Sequence, residues 1–421
     1  MPGFQPNPPT AAGTADILED SSGNLFPIGT VDDGSLLQRS GFAIIGAPAS
    51  TASGPSGISS TGVSFGDGSM GAITFDGTTS PTNWTRSGST YTYTGTLPIN
   101  YTTVTFSADN LLINPAGWQI RCRKWNPTER SGIKPTTNGA AGSGTTAGTG
   151  ASPSALWTNV PTGAQFFGGM QGANGVTGNA NGSNAATMTT GAIRHGGTGG
   201  RGGRARATGI STILTAGNGG GSTANAAFNY YGHPRLMMSL LQPFVTAGTA
   251  IAQIGGGTGG GSGAVGTTGS SGAGGGGGGA LFVAAAEAWF GTGCGFEVVG
   301  GKGGNAVVTG IEEGGGGAGG GGGLVEVIIG TLRGANLPYV SAAGGVGGDA
   351  SGNAGAWAEG GNGGDGGKAY LTVGTNLVGG TPTLSAAGGT AGANAGSNQT
   401  GGVGFVGAVA GTAGTTMYTE G

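Results

Sequence analysis

The sequence predicts an all-β, repetitive fold: an elongated β-solenoid of the parallel β-helix kind, with packed glycine segments of the polyglycine II type beside its strands. Three observations carry that expectation. Glycine supplies 105 of the 421 residues and falls in blocks that alternate with short apolar runs. The runs ALFVAAA (280–286), LVEVIIG (324–330) and AYLTV (369–373) are strand-sized and rich in β-branched and aromatic residues. The Gly-Gly pairs that follow them, in EVVGGKGG, VSAAGGVGG and LSAAGGTAG, stand at 300–301, 344–345 and 388–389, so the interval is 44 residues both times. A fixed period of this size is the mark of stacked repeats, not of a disordered linker.

Composition narrows the function classes. Charged residues are 8% of the chain and the net charge is −3, whereas ordinary domains carry about a quarter charged residues. No basic stripe is available to neutralise phosphates, so nucleic acid is not an expected partner. The exception is the arginine-bearing stretch GAIRHGGTGGRGGRAR (191–206) with Arg194, Arg201, Arg204 and Arg206. It resembles single-strand-binding RGG segments, but reads more simply as a solvated loop. Cys122 and Cys294 are too few and too far apart for a disulfide framework, and are expected to be reduced, buried, small apolar residues. The N-terminal stretch has neither a basic nor an apolar region of the secretory kind. No run reaches the ~18 apolar residues of a membrane span. The expectation is synthesis in a host cytoplasm without membrane insertion.

Four regions follow in order. Residues 1–62 are polar apart from one island, LFPIGTVDDGSLLQRSGFAIIG (25–46), in which Asp33-Gly34 between apolar pieces signals a hairpin, followed by a Ser/Gly/Pro tether. Residues 63–150 open with short alternating runs (VSFGDG, AITFDGT, NWTRSGSTYTYTGTL, TTVTFSA, LLINPAGWQIRCRKW), punctuated by Asp67-Gly68, Asp76-Gly77 and Ser87-Gly88. These read as half-buried strands joined by turns. Residues 151–235 are low-complexity Gly/Ala/Thr/Asn with scattered aromatics. Residues 236–421 hold the repeat. Leu236, Leu281, Leu324 and Ala369 begin successive apolar runs, which suggests four copies ending near residue 392. A unit of 44 residues is long for one solenoid coil and suits two.

Tracts such as 255–279 and 314–323 are longer than a solenoid corner needs. Glycine can pack as extended three-residue helices side by side, as it does at the crowded axis of collagen. Because ordering glycine costs the most backbone entropy, the packed layer is expected to draw help from oligomerisation, most simply as a homotrimer.

Two stretches resemble one group of proteins. FGDGSMGAITFDGTT (65–79), followed by VTFSADNLLINPAGWQIRCRKW and GIKPTTNGAAGSG, is similar to a pattern of bacteriophage tail-fibre and adhesin-like virion proteins, as is GGNGGDGGKAYLTV (360–373). The island GTVDDGSLLQRSGFAIIG resembles a segment of phage tail and baseplate-associated proteins. The resemblance covers most of 25–392, and departs from the pattern at the charged, aromatic stretch GWQIRCRKWNPTERSG. It implies a non-enzymatic virion protein, a tail fibre, spike or adhesin. Residues 1–46 would dock on other phage structural proteins, and the repeat would project toward a host-surface receptor. The alternatives are a capsid-bound head fibre or decoration protein and a polysaccharide depolymerase tailspike. A bacterial surface adhesin fits less well without an export signal.

The residues themselves argue against catalysis. His195 and His233 are the only histidines, no HExxH or Walker motif occurs, and acids are sparse across the repeat. Glu312 and Glu313 are adjacent, so on a strand they face opposite ways. No cofactor or metal is expected. Recognition is assigned to aromatics in glycine surroundings, Trp157, Tyr230, Tyr231 and Trp357, because aromatic faces suit sugar rings and partner surfaces. Trp357 is the expected loop tip, while Trp289 and Tyr370 beside apolar runs are expected in the core.

Overall fold

The chain forms two compact units, Met1–Ser56 and Gly57–Gly421. A computed structural model describes the backbone of residues 16–19, 25–28, 36–40 and 43–47 in the first unit. In the second it describes residues 65–66, 68–95, 99–151, 169–185, 192–194, 196–206, 213–220, 253–254, 256–266, 269–308, 313–352, 357–396 and 407–420. The described residues are all-β.

The first unit is a four-stranded sheet of β1 (Asp16–Glu19), β2 (Leu25–Ile28), β3 (Leu36–Ser40) and β4 (Ala43–Ala47), ordered β1-β2-β4-β3. The hairpin expected at Asp33-Gly34 is corrected here. That dipeptide falls between β2 and β3, which are not neighbours, and the tight antiparallel pair is β3–β4, with Ser40 opposite Ala43. A turn dipeptide reverses the chain without deciding which strands then pair.

The second unit begins with β5 (Ala72–Phe75), β6 (Trp84–Ser87), β7 (Thr90–Tyr93), β8 (Ile99–Phe106), β9 (Leu112–Asn114), β10 (Ile120–Trp125) and β11 (Lys134–Pro135). Short pieces follow: β12 (Ala192–Arg194), β13 (Ala205–Arg206), β14 (Ile213–Leu214) and β15 (Gln253–Ile254). The repeat supplies β16 (Ala280–Trp289), β17 (Gly295–Glu297), β18 (Glu313–Gly314), β19 (Leu324–Arg333), β20 (Tyr339–Ser341), β21 (Ser351–Gly352), β22 (Lys368–Asn376), β23 (Thr383–Ser385) and β24 (Thr415–Glu420).

One seven-stranded parallel sheet, β5-β8-β10-β16-β19-β22-β24, runs through the unit. The chain leaves it after Trp125 and re-enters beside the same strand at Ala280, where Ile120 lies opposite Val283. The regions expected at 63–150, 151–235 and 236–421 all fall in the second compact unit. Pairing of β10 with β16 fuses the short-stranded region to the repeat, and the unit border lies at Ser56/Gly57.

Register gives the repeat its physical meaning. Ala280 lies opposite Leu324 and Leu324 opposite Lys368, a step of 44 residues. Gly295, Tyr339 and Thr383 stack at the same step in a second sheet, β17-β20-β23. Equivalent residues thus sit directly on one another, and the runs begin at 280, 324 and 368, not at the Leu281 and Ala369 picked out by hydrophobicity. The run 236–245 lies outside the described residues. In the earlier coils Ile99 faces Ile120, and Thr90, Leu112 and Lys134 stack in turn, so one step there takes 21 or 22 residues. A repeat unit therefore adds one strand to the central sheet, not two, and its surplus residues make glycine segments.

The long strands are buried on both faces. Leu281, Val283, Ala285, Val325, Val327, Ile329, Leu371 and Val373 join the main core with Tyr91, Phe106 and Trp125. Phe282, Ala284, Leu324 and Ile328 form a second cluster with Phe65 on the other face. Burial on both sides is why these strands read as continuous apolar runs where the N-terminal strands alternate. Each fully buried Val, Leu, Ile or Phe contributes ~1.5–3 kcal/mol.

The glycine segments pair with a three-residue rhythm. In 315–323, residues 315, 318 and 321 donate to the carbonyls of 264, 261 and 258; residues 316, 319 and 322 to 359, 362 and 365; residues 317, 320 and 323 to 304, 301 and 298. The same segment accepts from 272, 275 and 278, from 203, 200 and 197, and from 348 and 345. One segment thus has six neighbours, all from this chain. Four glycine hairpins are closed by antiparallel bonds of this kind, such as Gly257 to Gly278, Gly320 to Gly301, Gly364 to Gly345 and Gly411 to Gly389. The hydrogen-bond partners of this segment are thus supplied within a single chain.

Candidate functional site

The glycine segments run out from the strands in antiparallel pairs. Described residues that flank the connections between these pairs bridge one another. Isolated bridges join Thr177 to Ser270, Ser270 to Val307, Ala180 to Val265, Val265 to Gly314 and Ala358 to Ala395. Strand β18 pairs with β21, and Ala205 bridges Ala358.

The base of this end of the bundle is ionic. Glu359 is fully buried, and Arg204 grips it at two points, Nη2 to Oε1 at 2.6 Å and Nε to Oε2 at 2.8 Å, while Arg201 Nη2 reaches Oε2 at 3.3 Å. Burial works to raise the Glu359 carboxyl, but the hydrogen bonds and charge of Arg204 outweigh it and hold the group below the usual carboxylate range. Glu313 is 3% exposed and accepts from the backbone N–H of Arg206 at 2.5 Å and from that of Trp357. Burial pushes this carboxyl up, and the backbone N–H groups of Trp357 and Arg206 and the charge of Arg206 offset that only in part.

Two expectations are corrected here. The arginine stretch is not a solvated loop: Gly197, Gly200 and Gly203 donate to the carbonyls of 322, 319 and 316, which makes 196–203 a member of the bundle. Its outward residues recur every third position, so Arg201 and Arg204 both fall beside Glu359. Trp357 is not an exposed tip. It is 7% exposed and lies at the base of the loops, because its N–H is committed to Glu313. Trp157, Tyr230 and Tyr231, like His195 and His233, lie outside the described residues. Trp289 is half-buried, and Tyr370 packs partly buried against the second cluster.

Two aliphatic side chains among the described residues of this end are exposed. Val307 is 58% and Val409 50% exposed. Asn305 Oδ1 accepts from Asp349 N at 2.9 Å and Asp349 Oδ1 from Ala393 N at 2.8 Å, a ladder one repeat apart at each step. That ladder was legible as Asn305, Asp349 and Ala393 at equal intervals; the Arg–Glu contacts had no such signal, since 155 residues separate Arg204 from Glu359.

Among the described residues no group of three or more His, Cys, Asp and Glu side chains could hold a metal ion, and no helix is long and apolar enough to cross a membrane. Cys122 and Cys294 are free and buried, and burial pushes both thiols up. Comparisons with protein families, curated proteins and solved structures return no match to this chain.

Proposed function

We propose that this chain is a non-enzymatic structural and recognition protein of a phage virion, a tail fibre or spike whose repeat region is a β-solenoid joined to a polyglycine II bundle. In this reading the bundle is a stiff, chemically inert mount, and the clustered loops between its glycine segments touch the host surface. The first unit docks on other virion proteins.

The observation that carries the reading is the six-neighbour hydrogen bonding of segments such as 315–323. Interior positions there accept almost no side chain, so variation and recognition are confined to the loops. Function sits on loops held by a rigid scaffold for the same reason elsewhere. The resemblance of 65–79 and 360–373 to virion adhesins supports the placement. The buried acids at the loop base support the non-enzymatic part: Glu359 is held by arginines and Glu313 by backbone N–H groups.

The test uses the labelled full chain on a panel of bacterial cells and their purified surface polysaccharides. Saturable binding, lost when 305–312 is replaced by a Gly/Ser loop of equal length, is expected. Release of reducing ends from a polysaccharide would replace this reading with the depolymerase one. Absence of binding to every cell type in the panel would count against recognition.

A further inference from the structure

The chain contains five Asn-Gly pairs, at 138–139, 174–175, 181–182, 218–219 and 362–363. This dipeptide closes readily to a succinimide, because glycine puts no side chain in the way of its own nitrogen. Ring closure needs two free groups, the glycine nitrogen as nucleophile and the asparagine carboxamide as electrophile. In four of the pairs the fold holds both. Val299 N donates to Asn138 Oδ1 at 2.7 Å while Gly139 N donates to the Val299 carbonyl. Asn181 and Gly182 clasp Thr215 in the same way, and Asn362 and Gly363 clasp Val409. Asn174 Oδ1 accepts from Ala147 N at 3.1 Å, and Gly175 N donates to the carbonyl of Thr145.

Asn218 is the exception. It receives a clasp, its N–H donating to Asn184 Oδ1 and its carbonyl accepting from Ala185 N, but it gives none. Among the described residues neither its carboxamide nor the N–H of Gly219 has a hydrogen-bond partner. Asn218 is also exposed, but exposure does not set it apart, since Asn138 and Asn181 are exposed too. Local sequence does not set it apart either. Gly217-Asn218-Gly219-Gly220 and Gly361-Asn362-Gly363-Gly364 are the same tetrapeptide. The two differ in hydrogen bonding: one is clasped and the other is open.

We propose that Asn218 is a site of spontaneous deamidation in the folded chain, and that the other four asparagines are protected by the bonds that hold them. Gly219 N attacks Asn218 Cγ. The N–Cγ bond forms, the Cγ–Nδ2 bond breaks, and the amide proton leaves with Nδ2 as ammonia. Water then opens the ring. Cleavage of the N–Cγ bond leaves an aspartate at this position. Cleavage at the main-chain carbonyl leaves an isoaspartate, whose backbone runs through Cβ and Cγ. Either product adds one negative charge to a sparsely charged bundle. The second also lengthens the backbone between Gly217 and Gly220, whose N–H groups donate to Ser262 and Gly259, so it disturbs the three-residue rhythm there. The clasped pairs reach the same ring only after local opening of the bundle.

Peptide mapping by mass spectrometry tests the proposal on the full chain held in mildly alkaline buffer, beside a sample unfolded in urea. In the folded chain Asn218 should lose its amide at least about tenfold faster than Asn362, because the clasped pair reacts only from an opened state. In urea the two identical tetrapeptides should react at the same rate. Asn218→Gln should remove the acidic species and the isoaspartate that accumulate in the folded sample, and should leave the thermal melt in place. Equal rates at Asn218 and Asn362 in the folded chain would overturn the proposal. So would a difference that persists in urea, or an Asn218 that stays intact in the folded chain while the unfolded sample reacts to completion.

Discussion

At the scale of single residues, glycine is required here chiefly by contact and not by conformation. Gly345 has no positive φ, yet a Cβ built on it would lie 2.0 Å from the carbonyl oxygen of Gly301. The obstacle is backbone held in place by hydrogen bonds, so no rotamer change relieves it. Gly345→Ala should cost about 3 kcal/mol, the upper part of the usual overpacking range. Val346→Ala next door, where the side chain is 40% exposed, should cost less than about 0.5 kcal/mol. Paired thermal melts of the two variants check the contrast. Gly88 is the other kind: its φ of 60° lies in the two-residue turn between β6 and β7.

The charged residues make an equally local prediction. Arg204→Ala leaves a fully buried carboxylate with Arg201 and the backbone N–H of residue 204, and should cost about 3 kcal/mol. Arg201 is 31% exposed and makes a single longer contact, so Arg201→Ala should cost less than about 1 kcal/mol. The sign with pH follows from the direction of the shift. Because the Glu359 carboxyl is held below its unfolded value, its contribution is present above the unfolded carboxylate range and is lost as pH falls through the lower folded value. The difference in melting temperature between the natural chain and Glu359→Gln should therefore shrink on acidification. A difference that grew as pH fell would show that Arg204 does not control this group.

At the scale of elements, the repeat unit is a strand, a short strand and a glycine hairpin, and its length is fixed by register. Because Ala280, Leu324 and Lys368 stack in line, removing residues 324–367 brings 368 onto 280 with every side chain on its original face. That deletion should give a folded chain with a lower melting temperature and a cooperative transition. Removing half as much, residues 324–345, deletes a strand but leaves an unmatched glycine segment, and should abolish cooperative melting by circular dichroism. The two terms within a unit differ in kind. Ordering a residue costs ~1–2 kcal/mol, and a backbone hydrogen bond returns ~0.5–1.5 kcal/mol net, so a glycine hairpin taken alone roughly balances. The six buried aliphatic side chains of β19, at about 1.5–3 kcal/mol each, decide the outcome. Strands hold the unit together, and the glycine bundle is ordered because they are.

At the scale of the second unit, one continuous parallel sheet ties the N-terminal coils to the repeat, and the glycine bundle grows beside it layer by layer. The step of 21 or 22 residues in the early coils becomes 44 where a glycine hairpin is added to each turn. One differentiated place results, the end of the bundle where β18 pairs with β21 and Arg201 and Arg204 meet Glu359. Recognition is proposed for this end.

The sequence by itself determined the all-β class, the strand positions within each repeat and the period, because periodic side-chain chemistry is written along the chain and stacking turns an interval directly into a register. It also marked the Asn305–Asp349–Ala393 ladder, which shares that interval. Tertiary structure alone decided that 44 residues make one rung, that β10 adjoins β16 across the long excursion between Trp125 and Ala280, and that the arginine stretch is an inner strand of the bundle. It alone buried Trp357 and set Arg204 on Glu359. These are contacts between segments of low complexity, where many registers look alike in sequence. Only the simultaneous demand that six neighbours supply every backbone hydrogen bond selects one of them.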